Sequence, residues 1–269
     1  MRIVAEIGSN HEGRLDWALQ LVEAAAGSGA TDVKVQVFTA EALYRDPENH
    51  PRTAKYALPL EWLPELRAAA HQQNMGFGAS VFSRSLMQAC RGQLDFIKVA
   101  AYDITYYILI QAAASLCVPL TLSTAMANIA EIHWALLHIP PEIDLTLLHG
   151  VAAYPCRLED MNLSAIRTLK KTWPRTQVGL SDHSLGYTAA VMSVVYGATM
   201  IEKHFRLADG PRYSLDWEHS ASPQEFSEMV KQVRCAQAAC GDGEKEGPIE
   251  AEKPLYLTAR RSDAEPYRR

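Results

Sequence analysis

The chain has 269 residues, of which 48% are hydrophobic, so it is long enough to bury one large core. Its 26 Lys and Arg against 31 Asp and Glu give a net charge of −5, which excludes the broad basic surface typical of nucleic-acid-binding proteins. No apolar run approaches the roughly 20 residues of a membrane span, and the first residues enter a strand pattern at once, which predicts no signal peptide. The five cysteines form no C-x-x-C pair, which indicates reduced thiols in a cytoplasmic protein.

Strand and helix patterns alternate along the first 240 residues. The predicted strands are short apolar runs at 3–7, 32–38, 76–81, 96–100, 120–123, 145–149, 177–180 and 199–204. The predicted helices are the longer segments at 15–27, 61–73, 83–90, 105–117, 128–138, 163–172, 185–196 and 223–240. Eight such units predict parallel strands with right-handed crossovers, and their number favours a single-domain α/β TIM (β/α)8 barrel over an open sheet.

Two long connections and the C-terminal tail interrupt this pattern. The segment 39–59 follows the second strand, and its length favours a functional lid, with a disordered insertion as the alternative. A second loop, 207–222, follows the last strand. Beyond residue 240 the periodicity ends, so we expect residues 1–240 to form the barrel domain and residues 241–269 to form a linker and an irregular tail.

Two of the predicted strands end in a histidine close to a carboxylate. His183 follows Ser181 and Asp182 at the end of the seventh strand, and His204 follows Glu202 on the eighth. The carboxyl ends of neighbouring barrel strands face one cavity, so these side chains should converge. Two histidines and two acids there favour a divalent metal ion and acid–base chemistry, with hydrogen-bonded capping histidines as the alternative.

Lys34 and Lys98 each lie inside a nearly continuous apolar strand. A buried ammonium group without a partner is costly, so each lysine must meet a carboxylate or an anionic ligand. The carboxylates that could form internal ion pairs are Glu6, Asp182 and Glu202. Two strand-end hydroxyls could instead complete a phosphate site, and they belong to Ser123 and Ser181. Ammonium groups with hydroxyl donors favour phosphate binding, while internal ion pairs stay open.

Seven motifs lie in order along roughly residues 1–240. They are A-E-I-G-S-N-H at 5–11, V-K-V-Q at 33–36, F-I-K-V-A-A-Y-D at 96–103, L-S-T-A-M at 122–126, A-Y-P at 153–155, G-L-S-D-H-S at 179–184 and I-E-K-H-F at 201–205. Together they resemble the N-acetylneuraminate (sialic acid) synthase family. Their order and spacing are highly specific for the family and less specific for the substrate.

The resemblance implies a transferase that condenses phosphoenolpyruvate with a sugar aldehyde, an N-acylmannosamine-like or related acceptor, giving a nonulosonic (sialic-acid-like) acid and phosphate. It implies a divalent ion on His183 and His204, with Mn²⁺ expected first and Mg²⁺ or Co²⁺ as alternatives. The implied catalytic residues are Glu6, Lys98 and Glu202. The implied substrate-binding residues are Lys34, Gln36, Ser123, Tyr154, Ser181, Asp182 and Asp216. A homodimer is also implied, with neither nucleic acid nor membrane as partner.

The chain departs from the family pattern in several places. Ala101 and Ala152 stand where relatives commonly carry a polar side chain, which would weaken or redirect phosphoenolpyruvate use. The antifreeze-like domain that commonly follows the barrel is expected to be missing beyond Arg261. A separate lid protein could replace it, or the two long loops could, through Arg45, Arg52, Arg212 and His219.

Two other functions stay open at this point. The first is a metal-dependent aldolase that does not use phosphoenolpyruvate, because donors for that ligand are lost. The second is a catalytically silent barrel that binds a sugar. The acceptor sugar itself is not identified by any of the motifs.

Overall fold

The computed structural model describes residues 1–43, 46–209 and 214–261. Contacts divide the chain into one compact unit from Met1 to Gln237 and a second unit that begins at Ala238. The predicted boundary between a barrel domain and a tail at residue 240 stays a prediction. Arg45 and Arg212 lie outside the described residues, so their expected acceptor contacts stay predictions as well.

Eight parallel strands in the described part of the chain form a closed barrel in the order β1 to β8. They are β1 Arg2–Glu6, β2 Asp32–Val37, β3 Gly76–Val81, β4 Phe96–Val99, β5 Leu120–Ser123, β6 Leu145–Gly150, β7 Gln177–Asp182 and β8 Met200–His204. The barrel closes because β8 pairs with β1, from Arg2 opposite Met200 to Glu6 opposite His204. The predicted TIM (β/α)8 barrel is therefore confirmed.

The helices lie between the strands and after β8. Those within the described ranges are α1 Leu15–Gly27, α2 Ala40–Leu43, α3 His50–Ala54, α4 Leu63–Gln72, α5 Arg84–Ala89, α6 Tyr107–Ala114, α7 Ile129–Leu136, α8 Ala165–Thr172, α9 Thr188–Val195, α10 Pro223–Cys240 and α11 Lys253–Ala259. A local capping signal explains where α7 begins. Asn128 caps α7 through the backbone N–H groups of Ala130 and Glu131, and the Glu131 carboxylate accepts from the Asn128 N–H in return.

Side chains along each strand alternate between the barrel interior and the layer of helices. Val4, Phe96, Leu148 and Met200 form a separate buried cluster, which this alternation places inside the barrel. The strand residues between these inward-facing ones face the helices and pack with them in a larger apolar cluster. Gly78 lies opposite Phe96 in the β3–β4 register, and a Cβ there would overlap the phenylalanine ring. Apolar side chains therefore fill this part of the barrel interior, and the polar inward-facing side chains of the candidate site lie toward the carboxyl ends of the strands.

Two segments differ from the sequence expectation. The connection 39–59 is not wholly irregular, because it contains α2 and α3. The tail was expected to be irregular, yet α11 forms there. Pro254 occupies the first turn of α11, where no backbone N–H is needed, and residues 255–259 contain neither Gly nor Pro. Among the described residues, no helix combines the length and apolarity needed to cross a membrane.

Candidate active site

The carboxyl ends of the strands surround a cavity of about 380 Å³. Its floor comes from inward-facing residues of the strands, namely Glu6, Lys34, Gln36, Ser80, Lys98, Ser123, Glu202 and His204. Further side chains reach the cavity from the loops after β6, β7 and β8, namely Tyr154, His183, Asp216 and His219. All of the predicted site residues except Ser181 and Asp182 line this cavity.

Both strand lysines are paired with carboxylates on the cavity floor. Lys34 Nζ forms an ion pair with Glu6, donates to Ser80 Oγ at 2.8 Å and lies 3.6 Å from Glu202 Oε2. Lys98 Nζ forms an ion pair with Glu202 Oε1. All four charged side chains are at least nine-tenths buried, and buried charges persist only when they are paired in this way. Internal ion pairs are therefore present, and phosphate binding by the lysines stays a prediction.

Burial and mutual charge shift the pKa values of this cluster. Burial lowers the pKa of Lys34 to about 7, although the Glu202 charge acts in the opposite direction. Burial also opposes ionisation of Glu202, but the ammonium groups of Lys34 and Lys98 outweigh it and hold the pKa of Glu202 well below its usual range. Glu202 is therefore a carboxylate at neutral pH, next to an ammonium group that can release its proton there.

Three histidines and Asp216 form a second cluster beside the charged floor. The His204 and His219 ring centroids are 4.5 Å apart, and that of His183 lies 5.7 Å from His204 and 6.4 Å from His219. Asp216 Oδ1 lies 3.8 Å from His204 Nδ1 and 3.5 Å from His219 Nε2. The Tyr154 ring packs on His183, with centroids 4.2 Å apart. The predicted pair of histidines is therefore joined by a third histidine and a carboxylate.

This donor set fits a divalent metal ion. His204, Asp216 and His219 each offer one ligand atom, and these atoms all lie within 4.8 Å of one another. His204 Nδ1 and His219 Nε2 are buried and accept or donate no hydrogen bond within the described structure. Burial lowers the pKa of His204 well below its ordinary value, which leaves the neutral imidazole that a metal requires. Imidazole and carboxylate ligands suit Zn²⁺ and Mn²⁺, so the residues do not select one ion.

His183 carries a feature common to metal-binding histidines. Its Nδ1 lies 2.7 Å from the Val151 carbonyl oxygen, a spacing in which the ring N–H donates to the backbone. Burial lowers the pKa of His183 to about 4, so the ring is neutral and Nε2 keeps its lone pair. The predicted role of His183 as a metal ligand is compatible with this arrangement and stays a prediction.

Two predicted substrate ligands do not line the cavity. Asp182 points to the opposite side of β7 from Ser181, where it accepts from Lys203 Nζ at 2.9 Å and from Ser184 Oγ at 2.7 Å. Strand alternation explains this placement, since neighbouring residues face opposite sides. Ser181 Oγ donates to Glu202 Oε1 at 3.0 Å, so its hydroxyl orients a catalytic candidate. This geometry does not support the expected contact of Asp182 with substrate.

Sequence reasoning missed the association of His219 with the metal candidates. Asp216 directly precedes the helical turn Trp217–His219, which His219 ends, and that D-x-x-H spacing was a usable signal. Ser9 was missed for another reason. It lies in the motif at 5–11, but its partner Asp216 follows 207 residues later in a loop with no periodicity.

The mouth of the cavity is formed partly by the connection after β2. Asn49, Arg52 and Thr53 line it, together with Phe38 before α2. Ala101 and Tyr102, from the loop after β4, also line the cavity, and Tyr102 is 63% exposed. The predicted lid segment thus reaches the cavity, while its action as a lid stays a prediction.

Comparison with known proteins gives consistent matches across the barrel. The model of the NeuB family matches residues 21–245. An uncharacterized protein of Methanocaldococcus jannaschii is 35% identical over 268 residues, which cover 97% of this chain and 77% of that protein. A pseudaminic acid synthase of Campylobacter jejuni is 32% identical over 266 residues, covering 90% of this chain and 75% of the relative.

A solved structure shows the same architecture. The sialic acid synthetase of Leptospira borgpetersenii, crystallised with citrate, is similar to this chain with a TM-score of 0.88 and 30% sequence identity. The similarity covers 94% of this chain and 88% of that one. The similarity in sequence and in fold therefore extends over most of the chain.

Proposed function

The chain belongs to the NeuB family of sialic and other nonulosonic acid synthases, and on that premise we propose that it condenses phosphoenolpyruvate with a sugar aldehyde. The products are a nonulosonic acid and phosphate. The observation that carries the proposal is the pairing of two ammonium groups with two carboxylates in a cavity bordered by three histidines. A trianionic substrate needs the cations, and the proton transfers need the carboxylates.

Lys34 and Lys98 bind the phosphate and carboxylate groups of phosphoenolpyruvate in this proposal. Each ammonium group has three donors, so neither is saturated by its glutamate partner. Ser80 already accepts from Lys34 and keeps it aimed at the cavity floor. Ser123 and Gln36, which line the same cavity, supply further polar contacts.

The proposed reaction forms one C–C bond and breaks one C–O bond. The electron pair of the phosphoenolpyruvate double bond attacks the aldehyde carbon from C3, and the aldehyde oxygen takes up a proton. Water adds at C2, gives a proton to a carboxylate, and phosphate leaves with cleavage of its C2–O bond to give the ketone. In this proposal Glu6 and Glu202, which line the cavity, accept and return these protons.

The metal site would be held by His204, Asp216 and His219, with His183 beside them. A divalent ion there would supply a Lewis acid that polarises the aldehyde carbonyl. Manganese is the ion we propose first, with magnesium and cobalt as the other choices.

The acceptor lies toward the mouth of the cavity in this proposal. Tyr154 packs on His183 and is 43% exposed, and Arg52 and Asn49 from the connection after β2 line the same cavity. An N-acylmannosamine-like aldehyde or a related acceptor is the proposed class. The relatives named above make different nonulosonic acids at nearly equal identity, so their names do not select one acceptor. Action as a cytoplasmic homodimer completes the proposal, with a separate lid protein as the other arrangement.

The test measures phosphate release from phosphoenolpyruvate with Mn²⁺ and a panel of sugar aldehydes, with the product identified by mass spectrometry. Lys34→Met removes one cation, and we expect it to weaken phosphoenolpyruvate binding by about 10- to 100-fold, the value of a charge-assisted hydrogen bond. Lys203→Met is the matched control, because Lys203 is equally buried and paired but its partner Asp182 lies outside the cavity. It should lower stability and leave phosphoenolpyruvate affinity unchanged.

Two results would contradict the proposal. Condensation with pyruvate and without phosphate release would identify a metal-dependent aldolase. Absence of binding of both Mn²⁺ and phosphoenolpyruvate by the folded wild-type protein would identify a silent barrel.

A further inference from the structure

The two oxygens of the Asp216 carboxylate have different environments. Oδ2 accepts a hydrogen bond from the Ser9 backbone N–H and another from Ser9 Oγ, each at 2.7 Å. Oδ1 lies 3.5 Å from His219 Nε2 and 3.8 Å from His204 Nδ1, which is longer than a well-formed hydrogen bond. One oxygen is therefore saturated by Ser9, and the other faces the two histidines.

The loop after β1 also fixes the backbone around Asp216. Asn10 Nδ2 donates to the Phe205 carbonyl and to Ser220 Oγ, both at 2.8 Å. Ser220 Oγ in turn donates to the Asp216 carbonyl at 2.6 Å. Asp216 is thus held at its carboxylate by Ser9 and at its main-chain carbonyl by Ser220, whose hydroxyl Asn10 holds in turn.

Gly8 permits this close approach. Its φ is 53°, in the left-handed region, and a Cβ at this position would overlap Asp216 Oδ2 and lie 3.3 Å from His204 Nδ1. A glycine before Ser9 therefore lets the loop backbone reach the carboxylate and the histidine together.

The spacing of the three ligand atoms suits a shared ion. Bonds of about 2.0 to 2.2 Å to one ion place neighbouring ligand atoms about 2.8 to 3.1 Å apart in octahedral geometry and about 3.3 to 3.6 Å apart in tetrahedral geometry. The two distances to Oδ1 are 3.5 and 3.8 Å, so side-chain shifts of less than 1 Å would bring the three ligand atoms onto one ion of either geometry. His204 Nδ1 and His219 Nε2 are buried without hydrogen-bond partners in the described structure, so each still needs one.

We propose that Ser9 is a positioning residue for the metal centre, which saturates one oxygen of Asp216 and directs the other at an ion shared with His204 and His219. The inference rests on the proposed function only in taking a divalent ion as the resident group. It assigns Asp216 to the metal rather than to the sugar, and it gives the loop after β1 a share in metal affinity. Residues that orient metal ligands in this way commonly alter affinity by about 10- to 100-fold.

The test is the dissociation constant of Mn²⁺ alone, measured by titration calorimetry with the melting temperature recorded in parallel. Ser9→Ala should raise the dissociation constant by about 10- to 100-fold, and Asp216→Asn by at least as much. Asp216→Asn keeps the acceptor for Ser9 but presents an N–H donor to the histidines. Because its shape is nearly unchanged, it tests the ligand role even where Ser9→Ala folds poorly.

Ser184→Ala is the matched control. Ser184 also donates to a buried aspartate through both its N–H, at 2.9 Å, and its hydroxyl, at 2.7 Å, but that aspartate is Asp182, outside the cavity. It should lower the melting temperature about as much as Ser9→Ala and leave Mn²⁺ affinity intact.

Mn²⁺ affinity of Ser9→Ala within about threefold of wild type would overturn the proposal, since that is below the effect expected of an orienting residue. An equal loss in Ser184→Ala would also overturn it, because the effect would then be general loosening. The proposed synthase reaction is judged separately, by phosphate release from wild-type protein, so the two proposals can fail independently.

Discussion

The Glu202 carboxylate lies next to both buried lysines of the cavity floor and the Ser181 hydroxyl. Its Oε1 accepts from Ser181 and pairs with Lys98, and its Oε2 lies 3.6 Å from Lys34. Removing this carboxylate would leave two buried ammonium groups with fewer partners. Loss of one partner from a buried ion pair costs about 3 to 5 kcal/mol, so a loss of activity in a Glu202 variant needs a folding control before it is assigned to chemistry.

Asp103 offers a test of burial that does not involve the ion pairs. Burial raises the pKa of this carboxyl from 3.8 to about 6, and its Oδ2 has no hydrogen-bond partner in the described structure. Between these pH values the folded protein holds a proton that the unfolded chain has released. The free energy of unfolding therefore falls as pH rises from about 4 to 6 and stays lower above that range.

Asp103→Asn removes this titration, so we expect it to stabilise the protein at about pH 7 by roughly 1 to 2 kcal/mol and to have little effect at about pH 3.5. Partial exposure of the side chain keeps the effect below the full value of the pKa shift. Denaturant unfolding at the two pH values measures it. The exposed Asp144→Asn is the control and should show no such difference, and equal stability of Asp103→Asn and wild type at neutral pH would contradict the assignment.

The sequence predicts the positions of the strand residues on the cavity floor better than those of the loop residues around it. Lys34, Lys98 and Glu202 were predictable because they lie on strands, where an alternating pattern and a shared carboxyl edge decide their position. Asp182 was misplaced because it is adjacent to Ser181 and therefore faces the other side of β7. The contact of Ser9 with Asp216 depends on two loops, and loop conformation leaves no periodic signal in a sequence.

The bounds of helices and strands are likewise predictable where a periodic pattern or a turn residue marks them, and less so elsewhere. The bounds of α1, β3, β5 and α10 coincide with the sequence expectation, because turn residues or strong periodicity mark both ends. Expected helix 105–117 is shorter at both ends, forming α6 from Tyr107 to Ala114. A short helical turn at Ala101–Asp103 precedes it, and Cys117 adopts a left-handed φ of 56° after it. Such end structures depend on backbone geometry that apolar periodicity does not record.

The close packing of Gly78 on β3 against Phe96 on β4 leads to a prediction about stability. Gly78→Ala places a methyl group into the space of the Phe96 ring inside a closed barrel, so we expect a loss of about 1 to 3 kcal/mol in the free energy of unfolding. Gly27→Ala, at the end of α1, meets no atom within 4 Å and should increase stability by up to about 1 kcal/mol. Thermal or denaturant unfolding of both variants measures the effects. Equal stability of the two variants would show that β3 and β4 can separate enough to admit the methyl group.

In the molecule as a whole, the apolar core and the ionisable residues of the candidate site occupy different regions. The apolar cluster between barrel and helices runs along all eight strands, while the ionisable groups of the site lie at their carboxyl ends. Folding should therefore not depend on a bound ion, in contrast to small domains built around a metal.

Chelation tests this independence. Treatment with EDTA should abolish turnover and leave the far-ultraviolet circular dichroism unchanged. Against protein with Mn²⁺ at about 100 times its dissociation constant, the melting temperature should fall by roughly 5 to 10 °C, from a binding contribution of about 2.7 kcal/mol. Readdition of Mn²⁺ should restore both values. Unfolding on chelation would show instead that the ion is part of the core.

The contacts of Ser9 and Asn10 with the segment after β8 also set an order of events during synthesis. A ribosome makes the loop after β1 first, and about 200 residues must follow before Asp216 emerges. Until then β1, which ends at Glu6 just before Ser9, is an edge strand of the sheet, because it pairs with β8 only when the barrel closes. Contacts between segments so distant in sequence form late, since the intervening chain must already be compact. On the proposed assignment, the cluster of His204, Asp216 and His219 is therefore held in place by the loop after β1 only late in folding.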